Sequence, residues 1–503
     1  MKIKALLIIT LVVGVFSSCE DSLKLETRSQ LTEELVLKDV TSSQSFLNGC
    51  LATLRNGGYY GRDFILSPEL LADNCKLVNA GDRSGRGLNH SINLSGTHLN
   101  IWFLYQTINR LNVLLDAVEK GDIILNSQAD AIAVNKIKAQ ALFLRGLFYF
   151  DLVRTYSYNP NYILDGWNKG VPYLTEPVRA KDDIEYPSRP TILSVYEKIE
   201  VDLLESIEVF TATGSPNVSG TAANARNIPT QAAAQALLAR VYLYWAGPTY
   251  PEKYALASSY ATQAINAAFS TLVTGTGANL TTQWTGSQIN SESIFEVAFA
   301  NQAENIGADN SLETWYTRNV TPAGVRITGW GDVIASDELI AEHNTTLDVR
   351  YTSLTQQARR DFEPPASRET RKYKQTGALL FGHDNVPVIR IAEMFLIRAE
   401  ANLLGSVVDE VQARADINAV RARCGLAALT GADTGAALVT EYFAERRREL
   451  AFEGHRWFDF TRRGLDVSKP AGSVIDNEDY RILANIPLVE IQGNPNLEQN
   501  PGY

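Results

Sequence analysis

A chain of 503 residues with 45% hydrophobic and 20% charged side chains has the balance of a globular protein with a large core, which excludes a disordered or fibrous polypeptide. Its formal net charge of −11 excludes the basic surface that nucleic acid or anionic lipid headgroups require of a partner. Five histidines without HExxH-like spacing and four cysteines without zinc or redox spacing give metal catalysis no framework, and no cofactor is expected.

Lys2 and Lys4 precede an apolar run from Ala5 to Phe16, which ends in Phe16-Ser17-Ser18-Cys19. A positive start, a short apolar segment and small residues before the cut make residues 1–18 a secretory signal peptide. The run is too short to cross a bilayer as a permanent helix. The small pair followed by Cys19 resembles a bacterial lipobox, in which the cysteine is lipidated and becomes the mature N-terminus. Loss of Lys2 and Lys4 with the leader takes the net charge from −11 to −13. Residues 19–30 are polar and lack apolar periodicity, the pattern of a tether. No second stretch is long enough to span a membrane, so acyl chains on Cys19 are the expected anchor. Cys50, Cys75 and Cys424 remain; a Cys50–Cys75 disulfide fits an oxidising compartment, and buried free thiols are the blander reading.

Residues 31–503 read as one body, mostly helical, since no proline- or glycine-rich linker divides them. Apolar residues recur at helical spacing from Leu99 to Val118, where Gly121 closes the run, and again from Ile132 to Tyr156. The same spacing predicts helices over Thr191–Phe210, Thr230–Trp245, Glu252–Ala268, Ile391–Leu404, Val408–Cys424 and Thr440–Arg463. Two pairs, Ala232–Trp245 with Tyr254–Ala268 and Ala392–Asn402 with Val411–Val420, place small residues inside and aromatics between. That is the physical logic of tetratricopeptide repeats, here degenerate in period. The helical scaffold is expected chiefly over 31–55, 99–270 and 388–465, and irregular ligand-binding regions chiefly over 56–98 and 271–387. Ser293 to Phe299 alternates like a strand, so minor β structure belongs there.

Five stretches carry a resemblance to the SusD/RagB family of Bacteroidetes nutrient-binding lipoproteins. They are the lipobox at Cys19, Lys138–Leu152, Arg390–Asn402, Glu445–Gly464 and the C-terminus with Ile486-Pro487 and Asn494–Tyr503. The resemblance runs from the first residues to the last. It implies a predominantly all-α protein with four tetratricopeptide-like units as scaffold and an irregular half that bears the ligand site. It also implies a non-catalytic lipoprotein of the outer membrane that binds oligosaccharides, or less often peptides, and passes them to a SusC-like TonB-dependent transporter. A helical glycoside hydrolase is the alternative from another class; Asp332 and Glu338 are its candidate acids, both flanking a helix start. A purely structural tetratricopeptide adaptor fits poorly with a lipobox and long aromatic-bearing loops.

Sugars present flat apolar faces edged with hydroxyls, so a site needs exposed rings to stack on and polar groups at the rim. Trp167, Trp284, Trp315 and Trp330 lie on predicted loops. The stretch 301–330 is the strongest candidate, with Trp315, Tyr316, Arg318, Arg326 and Trp330 among small polar residues. Asp73-Asn74 with Arg83 and Arg86 form a second candidate. In Glu445–Gly464, the spacing of Arg446, Glu449 and Glu453 suits ion pairs along a helix, with Trp457 and Phe458 as core anchors. Trp102 and Trp245 are likewise expected in the core.

Overall fold

Side-chain caps set several helix starts close to where the periodic runs begin. The computed structural model describes residues 36–77, 99–215, 226–268, 270–273, 277–284, 290–299, 304–320, 326–357, 367–373, 382, 385–470, 472 and 474–503. The signal peptide, Cys19, the tether, Arg83 and Arg86 lie outside them. Helix α1 (Val40–Ala52) opens on an Asp39–Ser42 capping box. Helix α2 (Asp63–Leu71) falls in a stretch expected to be irregular; every residue from Phe64 to Leu71 is buried, so no amphipathic stripe betrays it. Strand β1 (Cys75–Leu77) follows. Helix α3 (Leu104–Lys120) closes on Gly121 at φ 73°, the left-handed cap expected there, but starts at Leu104 because Trp102 occupies the preceding turn. Helices α4 (Gln128–Tyr156), α5 (Ile192–Thr213) and α6 (Gln231–Trp245) open on Ser127, Thr191 and Thr230. Each hydroxyl accepts from the N–H three residues on.

After α7 (Lys253–Ala267) the chain leaves the helical stack. It runs through α8 (Gly277–Trp284), β2 (Ser293–Val297), α9 (Leu312–Tyr316), β3 (Asn319–Val320), β4 (Arg326–Thr328), β5 (Val333–Ala335), α10 (Asp337–Glu342), α11 (Val349–Leu354), β6 (Thr355–Gln357) and β7 (Arg368–Thr370). Strand β8 (Val386–Arg390) then leads straight into α12 (Ile391–Leu404), α13 (Glu410–Ala422), α14 (Gly435–Leu450) and α15 (Arg456–Thr461). The short β9 (Val467–Ser468), β10 (Val474–Ile475) and α16 (Leu488–Gly493) finish the chain. The strands pair antiparallel in twos, β1 with β5, β2 with β8, β3 with β4, β6 with β7 and β9 with β10.

The helices α3 to α7 pack each on the next, and α12 then packs against α7 and carries α13. The whole excursion from α8 to β7 is therefore inserted between neighbouring layers of one helical stack. Fully buried Ala233, Ala236, Ala257, Ala261 and Ala264 let α6 and α7 approach closely, and Tyr242 lies against Tyr260 with ring centroids 5.6 Å apart. The protein is predominantly α-helical, as expected. Among the described residues no helix is long and apolar enough to cross a membrane. Cys50, Cys75 and Cys424 are all buried and free, so the Cys50–Cys75 bond does not form.

The helix predicted over Thr440–Arg463 is two. It breaks between α14 and α15, where Phe452 and Gly454 take left-handed φ values of 69° and 80°. The break exists because a carboxylate from α2 satisfies the N–H groups it frees. Glu69, wholly buried, accepts from the backbone N–H of Phe452, Gly454 and His455 at 3.0, 2.8 and 3.2 Å. The ion-pair reading of this motif holds, but its partners lie mostly on other elements. Arg446 pairs with Asp459 at 2.9 Å, Glu449 with Arg390 at 3.0 Å and Arg350 at 3.2 Å, and Glu453 with Lys372 and Arg390 at 2.6 Å. Trp457, Phe458, Trp102 and Trp245 are buried, as expected.

Candidate functional site

Strands β1 and β5 place Leu77 opposite Val333 and Cys75 opposite Ala335. Leu77 therefore ends β1 at the same end of the ladder where Trp330 to Asp332 enter β5. Trp330 sits between Gly329 at φ 72° and Gly331 at φ 56°. Only glycine fits at either place: a Cβ on Gly329 would strike the Thr317 carbonyl oxygen, and one on Gly331 would lie 2.7 Å from Arg318. The backbone N–H groups of Trp330 and Gly331 both donate to the Thr314 carbonyl, at 2.6 and 3.0 Å. The main chain at Trp330 is thereby fixed, and the residue is half-buried against the core. Arg326 on β4 stands opposite Val320 across the β3–β4 hairpin, just before Gly329 in the chain.

The expectation that Trp315 and Tyr316 are exposed loop rings is corrected. Both lie on α9, which is too short to show helical periodicity in the sequence, and every residue of it is buried. Trp315 is 4% exposed, and its Nε1 donates to the Asp309 carbonyl at 2.9 Å beneath the Arg62 guanidinium. Tyr316 is wholly buried, parallel to Tyr373 at 6.1 Å and edge-on to Phe452 at 5.6 Å. Burial pushes its hydroxyl well above the usual tyrosine range. These rings belong to the buried core.

Asp73 is corrected too, because its carboxylate is occupied. Arg456 holds both oxygens at 2.6 and 2.9 Å, and Arg447 approaches at 3.1 Å. Asn74 beside it donates to Glu69 at 2.7 Å and accepts from Arg447 at 2.9 Å. The pair ties β1 to the α14–α15 motif. Of the other loop tryptophans, Trp284 is buried on α8 edge-on to Tyr373, while Trp167 is half-buried with its Nε1 3.3 Å from Asn500 Oδ1. For the hydrolase alternative, Asp332 is buried and Glu338 is exposed in the first turn of α10, behind the Ser336 cap.

Sequence reasoning passed over Arg62. Buried itself, it donates to the Asp309 carbonyl and to Asn310 Oδ1 at 3.2 Å, clamping the turn before α2 to the turn before α9. A lone arginine ahead of an aspartate gives no signal of such a role. Among the described residues, no group of three or more His, Cys, Asp or Glu is placed to hold a metal ion. The arrangement supplies a half-buried tryptophan on a fixed main chain at a sheet end, suited to stacking on a flat apolar ligand face.

Two family models match the chain. One, described as starch-binding and associating with the outer membrane, covers residues 32–243, and the other, the SusD family, covers residues 367–503. SusD-like protein P2 of Formosa agariphila is 26% identical over 94% of both chains, and SusD-like protein P38 of the same organism is 22% identical over 99% of this chain and 98% of its own. A SusD superfamily protein from Bacteroides thetaiotaomicron superposes with a TM-score of 0.76 at 25% identity, over 92% of this chain and 100% of its own. A laminarin-binding SusD-like protein superposes with a TM-score of 0.69 at 24% identity, over 93% and 100%.

Proposed function

Because the chain belongs to the SusD/RagB family, a carbohydrate-binding family associated with the outer membrane, we propose that it captures oligosaccharides at the cell surface and delivers them to a SusC-like TonB-dependent transporter. It binds and releases its ligand without catalysis. The lipid on Cys19 holds it at the outer membrane, with residues 19–30 as tether. The observation that carries the glycan reading is Trp330, half-buried on a main chain fixed between two left-handed glycines. Arg326 and Arg83 are proposed as further polar ligand contacts, whereas Trp315, Tyr316 and Asp73 are buried and serve the frame. One structural neighbour is a laminarin-binding protein, which makes laminarin a sensible first probe beside starch.

Affinity electrophoresis in gels containing laminarin or starch tests the reading. The wild-type protein should be retarded by a polysaccharide, and Trp330→Ala should weaken that binding about tenfold or more, the equivalent of roughly 1.4 kcal/mol. Retardation by no polysaccharide, with binding of a peptide mixture instead, would move the ligand class to peptides.

A further inference from the structure

A cavity lies away from Trp330, among elements that the glycan reading does not use. The segment after α4, residues 157–164, meets the end of α15 and the stretch 477–483 around a cavity of about 260 Å³. Its wall combines Tyr158, Tyr162, Tyr196 and Tyr244 with Ile163, Leu465 and Leu483. It shares no residue with the β1–β5 ladder or the Gly329–Gly331 turn.

The cavity is built, because its polar groups are fixed before any ligand arrives. Asn159 donates to the Tyr244 carbonyl at 2.6 Å, and Asn161 to those of Trp245 and Ala246 at 2.9 and 3.2 Å. A Cβ on Gly247 would collide with the Asn161 amide, and one on Gly464, at φ 59°, with the Tyr162 ring. Glycine at both places lets those side chains lie flat in the wall. Asn477 is pinned in turn, donating to the Gly464 carbonyl at 2.6 Å.

Charge is cancelled there. Arg154 is held by Asp151 at 2.7 Å, and Arg462 by Glu400 at 2.6 Å and Asp459 at 2.9 Å. A phosphate or carboxylate would find no uncompensated cation, and an amine no uncompensated acid. What the wall does offer is aromatic and aliphatic surface beside hydroxyls. Ser157 Oγ and Tyr244 Oη are buried and make no hydrogen bond among the described residues. We propose that this cavity binds one neutral pyranose ring, with its apolar face on the tyrosine and leucine wall and its hydroxyls toward the tyrosine, threonine and asparagine side chains that line it.

The source of the ring is either a free monosaccharide or the end of a longer glycan. Saturation-transfer NMR with glucose, galactose and mannose, beside the matching disaccharides, separates the two on the full mature protein. At least one of these sugars should bind at millimolar concentration, and Leu465→Trp at the rim should weaken that binding tenfold or more. Tyr158→Phe is the milder second variant, expected to weaken it several-fold without loss of fold. Trp330→Ala should leave this binding unchanged, just as Leu465→Trp should leave polysaccharide retardation unchanged. The proposal is overturned if none of the sugars binds, if both cavity variants bind normally, or if Trp330→Ala is the variant that abolishes binding. Loss of polysaccharide binding alone would sink the Trp330 reading and leave this one standing.

Discussion

Trp315 and Trp330 show how little of a side chain's role is set by its type. They lie fifteen positions apart in one polar stretch, yet one is core and the other is partly open. Trp315→Ala should cost roughly 3–5 kcal/mol of stability, the usual range for deleting a buried indole, while Trp330→Ala should cost about 1 kcal/mol. Chemical denaturation of both variants reads this directly, and equal losses would show that Trp330 is core. Glu296 gives a second prediction at this scale. Burial pushes its carboxyl up to about 8 from an ordinary 4.5, against hydrogen bonds from Ser293 and the Asn290 N–H. The folded protein thus holds this proton more tightly than the unfolded chain. The resulting stability is full below about pH 4.5 and is lost as pH rises through about 8. Glu296→Gln keeps the group neutral, so its melting temperature should exceed that of the wild type at pH 8, with the difference shrinking towards pH 5. A Tm difference that is the same at both pH values would mean that Glu296 does not titrate in this window.

The break between α14 and α15 is the most informative element. A continuous helix would leave Glu69 buried without the N–H groups that now hold it. Gly454 must be glycine twice over, since its φ of 80° is left-handed and a Cβ would sit 2.8 Å from the Phe64 carbonyl oxygen. Gly121 is left-handed as well, but nothing lies within 4 Å of its Cβ position. Gly121→Ala should therefore cost about 1 kcal/mol, and Gly454→Ala roughly 3 kcal/mol or more, because α2 cannot retreat. Matching losses in a urea melt would show that the turn relaxes freely. The charged groups behind this break respond to acid in the opposite sense to Glu296. Attraction to Arg462 and Arg350 holds Glu400 and Glu445 below the usual carboxylate range despite the opposing effect of burial. Their stabilisation is present above about pH 4.5 and is lost as pH falls further. Arg390, shared by Glu292, Glu449 and Glu453, is the costliest member to remove: Arg390→Leu should destabilise by roughly 3–5 kcal/mol, because it strands buried carboxylates.

For the whole molecule, the insertion from α8 to β7 between α7 and α12 gives a division of labour. Helix packing on either side sets the frame, and the inserted stretch is free to carry Trp330 at its β1–β5 seam. In the proposed setting the lipid on Cys19 confines this frame to the membrane surface and raises its effective concentration beside a transporter. Cys19→Ser should move the protein from the membrane to the soluble fraction. Mild detergent extraction of the unmutated protein should recover a large TonB-dependent barrel with it. Membrane fractionation unaffected by the substitution would count against the lipid anchor.

The long helices and their caps were legible because they are local. An apolar period, a hydroxyl at the N-cap and a glycine at the C-cap each act within a few residues, so Ile391–Leu404 needed no tertiary knowledge to be placed. The family motifs were legible for the same reason, as runs of adjacent residues. Burial was not. Whether the ring at 315 meets solvent depends on Arg62, which arrives from a distant part of the chain. The split at Phe452–Gly454 depends on a carboxylate hundreds of positions away, and α2 and α9 are too short or too evenly buried to leave a periodic trace. Sequence alone therefore settled where the long helices run and which family the chain resembles. Tertiary structure decided which side chains are covered and which acids hold which arginines, because those follow from what packs against a residue, a non-local quantity that no local spacing encodes.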